Sequence, residues 1–222
     1  MVQRTVKRFK SIEDVNEAIL RFLSQYFKKD QKIFTLCLSG GKTPQKLYER
    51  MAFENFPWER IHLFWGDERY VPYDDPRSNY KMAYDSLIRM INIPSQNVHK
   101  IRTDLSPEDA VKDYEETLRS FFDDGPTFDI LFLGMGRDGH TASIFPNSPL
   151  IHEKRRWVAF TEAKLEPFVD RITLTFPVIN RSKNIFILAG GREKIRALEN
   201  FSDEIPVNMV RSEHLEVMIY GE

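Results

Sequence analysis

Cysteine is nearly absent: Cys37 is the only one in 222 residues. A disulfide framework within the chain is therefore excluded, which fits a reducing compartment. Cys37 lies in the apolar run "IFTLCL", where a buried strand thiol is the simplest reading and nothing adjacent in sequence would activate it. Long apolar runs are also missing. No stretch reaches transmembrane length, and the opening "MVQRTVKRFKSIEDV" lacks an apolar signal core, so a cytoplasmic protein is expected. Charge of one sign is missing too, with 32 Lys+Arg against 33 Asp+Glu and a formal net charge of -1. No global field advertises nucleic acid or membrane, although local basic groups can still bind an anionic small molecule. His62, His99, His152 and His214 show neither H-x-x-x-H pairing nor a cysteine partner, so no metal is expected. Linkers, low-complexity segments and internal repeats are absent, and one domain over residues 1–222 is expected.

What the chain does have is a 41% hydrophobic and 13% aromatic composition, ample for a sizeable core. Helix-like and strand-like segments alternate from end to end. "SIEDVNEAILRFLSQYFKK" carries helical spacing, with Ser11 and Asp14 as a capping box. "KIFTLCL" suits a strand covered on both faces, and Pro44 after "SGGKT" reads as a first helical residue. "IHLFW" is a strand, followed by a polar loop and a helix around "NYKMAYDSLIRM". "SPEDAVKDYEETLRSFF" is the clearest helix, with Ser106 as cap, Pro107 next and Asp109 completing a box. "FDILFL", "NIFILA" and "LEVMIY" are further strands; "RRWVAFTEA" and "RITLTF" are β-rich and suit antiparallel pairing. "GGREKIRALEN" is a glycine turn and helix. The alternation predicts an α/β fold: a three-layer, mostly parallel, Rossmann-like sheet with helices on both faces.

Four strands end in unusual chemistry: Ser39-Gly40-Gly41-Lys42-Thr43, Gly66-Asp67-Glu68-Arg69, "GMGRDGH", and Gly190-Gly191 with Lys194 one turn later. Ligands of open α/β sheets bind outside the carboxyl ends of the strands, so these turns can converge on one crevice. "GKT" is not a Walker loop, because the position five before Gly41 is Leu36. What survives is a glycine turn at a helix start, suited to a phosphate or simply a tight connection. Gly134, Gly136 and Gly139 spell a dinucleotide loop, but Pro146 and Pro149 halt the helix that such a loop needs, and no cofactor is expected. The same loop carries Asp138 and His140. Histidine transfers protons near neutral pH, and a neighbouring carboxylate can hold its tautomer. The competing reading is a histidine that only braces its turn. Asp67 suits an acid, a base or a hydroxyl acceptor, whereas Glu68 and Arg69 also fit a surface ion pair and Ser78 a plain helix cap.

These residues give the chain a resemblance to the 6-phosphogluconolactonases of the oxidative pentose phosphate route. "LSGGKTPQKLYE" resembles their S-G-G-S-T-P signature, with Lys42 where the family commonly has Ser. "WGDERYVPYDDPRSNYKMA" resembles the D-E-R-x-V-P…S-N block, and "LGMGRDGHTASIFP" the G-x-G-x-D-G-H-T-A-S-L-F-P block. The glucosamine-6-phosphate deaminases share the fold and loop placement. The resemblance implies that Ser39, Gly40, Gly41, Thr43, Arg171 and Lys194 hold a phosphate, with Lys42 adding a cation beside it. It implies that His140 activates water against 6-phospho-D-glucono-1,5-lactone, that Asp138 orients His140, and that Asp67 contacts substrate or water. An oxyanion donor would be Arg69 or a loop N–H. The alternatives are an amino-sugar-phosphate deaminase or isomerase, and a non-catalytic sugar-phosphate sensor.

Overall fold

The computed structural model describes residues 3–162, 168–199 and 205–221. Its main sheet is built from β1 (Gln3–Phe9), β2 (Phe34–Leu38), β3 (Ile61–Trp65), β5 (Ile130–Gly134), β8 (Asn184–Gly190) and β9 (His214–Tyr220). The order is β1-β9-β8-β5-β2-β3, and every pairing is parallel. All five residues of β2 are buried, as a strand covered on both faces requires, and Cys37 lies fully buried among them. A second sheet pairs β4 (Asp67–Arg69), β7 (Arg171–Leu174) and β6 (Val158–Thr161) in antiparallel order.

The chain steps one way along the main sheet through α1 (Ile12–Tyr26) and α2 (Lys42–Met51). It steps back through α3 (Asn79–Ser86), α4 (Pro107–Phe121), the single turn α5 (Phe176–Ile179) and α6 (Arg192–Glu199). Right-handed crossovers then put α1 and α2 on the opposite face from α4 and α6. Ser11 and Asp14 close the expected capping box on α1. Ser106 caps α4, but its hydroxyl donates to Asp109 in place of the reciprocal backbone bond.

Four local readings change. Pro44 is the third residue of α2, still in the first turn, where its missing N–H leaves no helical bond unmade. The helix after Ser78 stops at Ser86, and Ile88–Met90 forms a separate 3-10 turn. Asp67–Arg69 is a strand, not the start of a loop, because it finds an antiparallel partner about a hundred residues away. β1 had no clear sequence signal, since this edge strand is mostly exposed and charged, as edge strands often are. "RRWVAFTEA" and "RITLTF" do pair antiparallel, as β6 and β7. Ala163 at the end of the first, and Asn200 at the end of "GGREKIRALEN", lie outside the described residues.

Two buried tyrosines pin the strand ends that face the crevice. The Tyr48 hydroxyl accepts the Ser39 N–H at 2.8 Å and donates to the Ser39 carbonyl at 2.9 Å, just past β2. Tyr114 of α4 does the same for Trp65 at the end of β3, with both contacts at 2.9 Å. Each phenol thus satisfies a backbone N–H and C=O at a buried strand end. Tyr48→Phe and Tyr114→Phe should each lower unfolding free energy by about 1–3 kcal/mol, read from urea melts. Melts superimposable on the wild type would show that these backbone groups find other partners.

Candidate active site

At the carboxyl ends of β2, β3, β5 and β8 the expected turns meet in one crevice. Ser39, Gly40, Gly41, Lys42, Thr43, Asp67, Arg69, His140, Arg171 and Lys194 all line it. Asp138 stands behind His140. Lys42 lies on the exposed rim.

On the α2 wall the helix start carries no side-chain cap. Whereas Ser11, Ser78 and Ser106 cap α1, α3 and α4, the N-cap of α2 is Gly41, which makes no side-chain cap, and no acid sits in the first turn. The first N–H groups and the positive end of the helix dipole therefore face the crevice uncompensated. Gly41 has φ 109, a conformation that favours glycine. At Gly40 a Cβ would sit 1.9 Å from Asn79 Oδ1, so only glycine allows the turn to close on α3. The Ser39 hydroxyl is committed to bracing, accepting the Gly134 N–H at 3.0 Å and donating to the Gly40 carbonyl at 3.3 Å.

On the opposite wall the two-residue period of β4 sorts its side chains. Asp67 and Arg69 share one face and line the crevice, while Glu68 turns the other way. Asp67 is 7% exposed and firmly held: the Ser143 hydroxyl donates at 2.6 Å to one carboxylate oxygen, and Asn79 Nδ2 at 3.3 Å to the other. Ala142, in the left-handed region at φ 47, makes the sharp turn that delivers Ser143. Asn79 and Ser143 had no part in the sequence reading. Both lie inside quoted motifs, but their contact with Asp67 spans a dozen residues or more and left no periodic signal.

Glu68 is not in a surface ion pair. Buried, it accepts the N–H groups of Asn79 at 2.6 Å, Tyr80 at 2.7 Å and Arg69 at 2.7 Å, together with the Ser78 hydroxyl at 3.2 Å. It thus anchors the start of α3, which carries Asn79. Burial pushes its pKa up from 4.5 to about 7, against the pull of those N–H groups and with the charge of Asp67 adding to the rise.

The cations are crowded. Arg69 and Arg171 are directly paired across β4 and β7. Burial first and the Arg69 charge second lower the Arg171 pKa, while Asp67, Glu68 and Asp170 oppose the shift. Arg69 Nη1 donates to the Arg77 carbonyl at 2.6 Å, and its Nε is buried without a partner among the described residues. Burial and the nearby Arg137 lower the Lys194 pKa, and its ammonium makes no hydrogen bond or ion pair among the described residues. An anion between these groups would relieve like-charge repulsion and satisfy idle donors.

The glycine loop after β5 presents the histidine. His140 Nδ1 lies 2.6 Å from Asp138 Oδ1, and the His140 backbone N–H reaches the same oxygen at 3.2 Å. Burial alone would raise Asp138, but the hydrogen bond and charge of His140, with backbone N–H groups, outweigh it and hold its pKa below the usual carboxylate value. An ionised Asp138 keeps the proton on Nδ1 and leaves Nε2 as the basic nitrogen. The loop must be glycine at 136, where a Cβ would fall 2.1 Å from His140 Nδ1. The ring packs on Phe145 at a centroid distance of 4.8 Å. Among the described residues no group of three or more His, Cys, Asp or Glu is arranged to hold a metal.

A crevice lined by Lys42, Arg69, Arg171 and Lys194, beside a carboxylate–histidine pair, thus opens at the strand ends of a parallel α/β sheet. Residues 7–219 match the family of glucosamine-6-phosphate isomerases and 6-phosphogluconolactonases, and the chain belongs to it. It is 39% identical over 213 residues to a 6-phosphogluconolactonase of Thermotoga maritima, covering 95% of this chain and 94% of the relative. A 6-phosphogluconolactonase of Synechocystis is 42% identical over 176 residues, covering 77% and 72%. The crystal structure of the Thermotoga maritima 6-phosphogluconolactonase superposes with a TM-score of 0.90 at 36% identity, over 99% of this chain and 100% of that one.

The buried Glu68 makes a linkage testable without substrate. Between pH 4.5 and about 7 the folded protein holds a proton that the unfolded chain releases, so this group makes stability fall as pH rises through that window. The stability of the wild type relative to Glu68→Gln should therefore drop by on the order of 3 kcal/mol across it. A difference independent of pH would contradict the assignment.

Proposed function

We propose that this chain hydrolyses 6-phospho-D-glucono-1,5-lactone to 6-phospho-D-gluconate, with His140 as the general base. The observation that carries the reading is the Asp138–His140 pair set in the same crevice as the uncapped start of α2 and Lys194, whose ammonium has no partner among the described residues. The α2 N–H groups, Lys194 and Arg171 hold the phosphate, Lys42 adds charge at the rim, and the ring lies across the crevice towards His140. Remote binding energy then orients C1 for attack.

His140 Nε2 takes a proton from water as its oxygen bonds to C1, and the carbonyl oxygen becomes an oxyanion. Arg69, whose buried Nε has no acceptor among the described residues, is the side chain suited to that oxyanion. The tetrahedral intermediate collapses by breaking the bond from C1 to the ring oxygen, which recovers the proton from His140. Asp138 stabilises the imidazolium in between. Asp67, fixed by Asn79 and Ser143, accepts a sugar hydroxyl or orients the water. The chemistry needs no redox step, and no cofactor is invoked.

The flanks of Asp67, Trp-Gly before and Arg-Tyr-Val-Pro after, favour the lactonase side of the family over the isomerases. Purified protein should accelerate acid release from freshly generated 6-phosphogluconolactone above its spontaneous hydrolysis. It should act poorly on unphosphorylated gluconolactone and release no ammonia from glucosamine 6-phosphate. Ammonia release with an inert lactone would reverse the assignment.

A further inference from the structure

One residue outside every motif ties the two anion-facing turns together. Tyr220, the last residue of β9, stands in register with Gly190 at the end of β8. Its carbonyl accepts the Gly191 N–H at 3.0 Å. Its ring occupies the space over Gly190, where a Cβ would fall 2.2 Å from Cζ. Its hydroxyl then reaches across to Thr43 Oγ1 at 2.7 Å, in the first turn of α2. The Gly191 carbonyl in turn accepts the Lys194 N–H at 3.1 Å, so the same turn that Tyr220 clamps launches the crevice lysine.

The polarity of the contact between Tyr220 and Thr43 decides what Thr43 can do. If Thr43 donated to Tyr220, it would show an anion only lone pairs. With Tyr220 donating, the Thr43 lone pair is occupied and its own hydrogen is left for the crevice. A dianion beside Thr43 selects the second arrangement, and the two bonds strengthen each other. We infer that Tyr220 is a positioning residue for phosphate recognition: it orients the Thr43 hydroxyl and holds the α2 and Gly190–Gly191 turns at one spacing. This rests on the phosphate reading given above.

The test is steady-state kinetics on 6-phosphogluconolactone and on unphosphorylated gluconolactone. Tyr220→Phe keeps the ring over Gly190 and removes only the hydroxyl. It should raise KM for the phosphorylated lactone about three- to ten-fold, the change falling on KM more than on kcat. The preference for the phosphorylated over the plain lactone should shrink by a similar factor. Thr43→Val should lose as much or more, and the double variant should be no worse than Thr43→Val alone. Lys194→Ala serves as the reference for losing a phosphate contact. Equal losses on both lactones, additive losses in the double variant, or a Tyr220→Phe preference equal to the wild type would overturn the role of Tyr220 alone. A wild type with no preference for the phosphorylated lactone, unmoved by Lys194→Ala, would overturn the phosphate reading and this inference with it. Should Tyr220→Phe fold poorly by its melting temperature, Thr43→Val against Thr43→Ser decides: the serine must retain the preference that the valine loses.

Discussion

The crevice depends on four parallel strands ending at one edge of the sheet, each handing its chain to a glycine turn. Parallel pairing is what aligns those ends, and it demands strands covered on both faces, which the fully buried β2 shows directly. Once the ends are aligned, backbone can approach ligand only where no Cβ intervenes. Eight of the ten glycines, at 40, 41, 66, 134, 136, 139, 190 and 191, lie in or beside these turns. Tyr48 and Tyr114 then keep the first two strand ends from fraying by holding the backbone groups of Ser39 and Trp65.

On this frame the carboxylates are separated by environment. Asp138 serves the histidine, Asp67 faces the crevice between Asn79 and Ser143, and Glu68 is turned inward by the strand period to hold α3. Neighbours in sequence thus do unrelated work. The cations of β4, β7 and α6 line one crevice, where burial and then the Arg69 charge lower the Arg171 pKa. A multiply charged anion placed between Arg69 and Arg171 would offset that repulsion.

Much of this was legible in the residues. Ser11 and Asp14 announced α1, the apolar runs announced the buried strands, and the four glycine turns announced a shared crevice. Asp138 and His140 could be paired on spacing alone. What spacing could not show was set by distant parts of the chain. β4 is three residues whose strand character comes from β7, so Glu68 looked like a surface charge. Arg171 was found by family resemblance, since only the pairing across β4 and β7 puts it beside Arg69. Asn79, Ser143 and Tyr220 act through contacts between elements that no local pattern encodes.

The central claim is that the glycine loop exists to present His140 as a base, and the most direct measurement is the hydrolysis rate of His140→Gln on 6-phosphogluconolactone, corrected for spontaneous opening. Glutamine retains a donor for Asp138 but cannot take a proton from water. The account predicts a folded variant that still binds 6-phosphogluconate and has lost roughly 10²–10⁴ in rate, the usual contribution of a positioned general base. A variant that keeps most of the wild-type rate would contradict it, making the loop a structural brace and moving the base to Asp67.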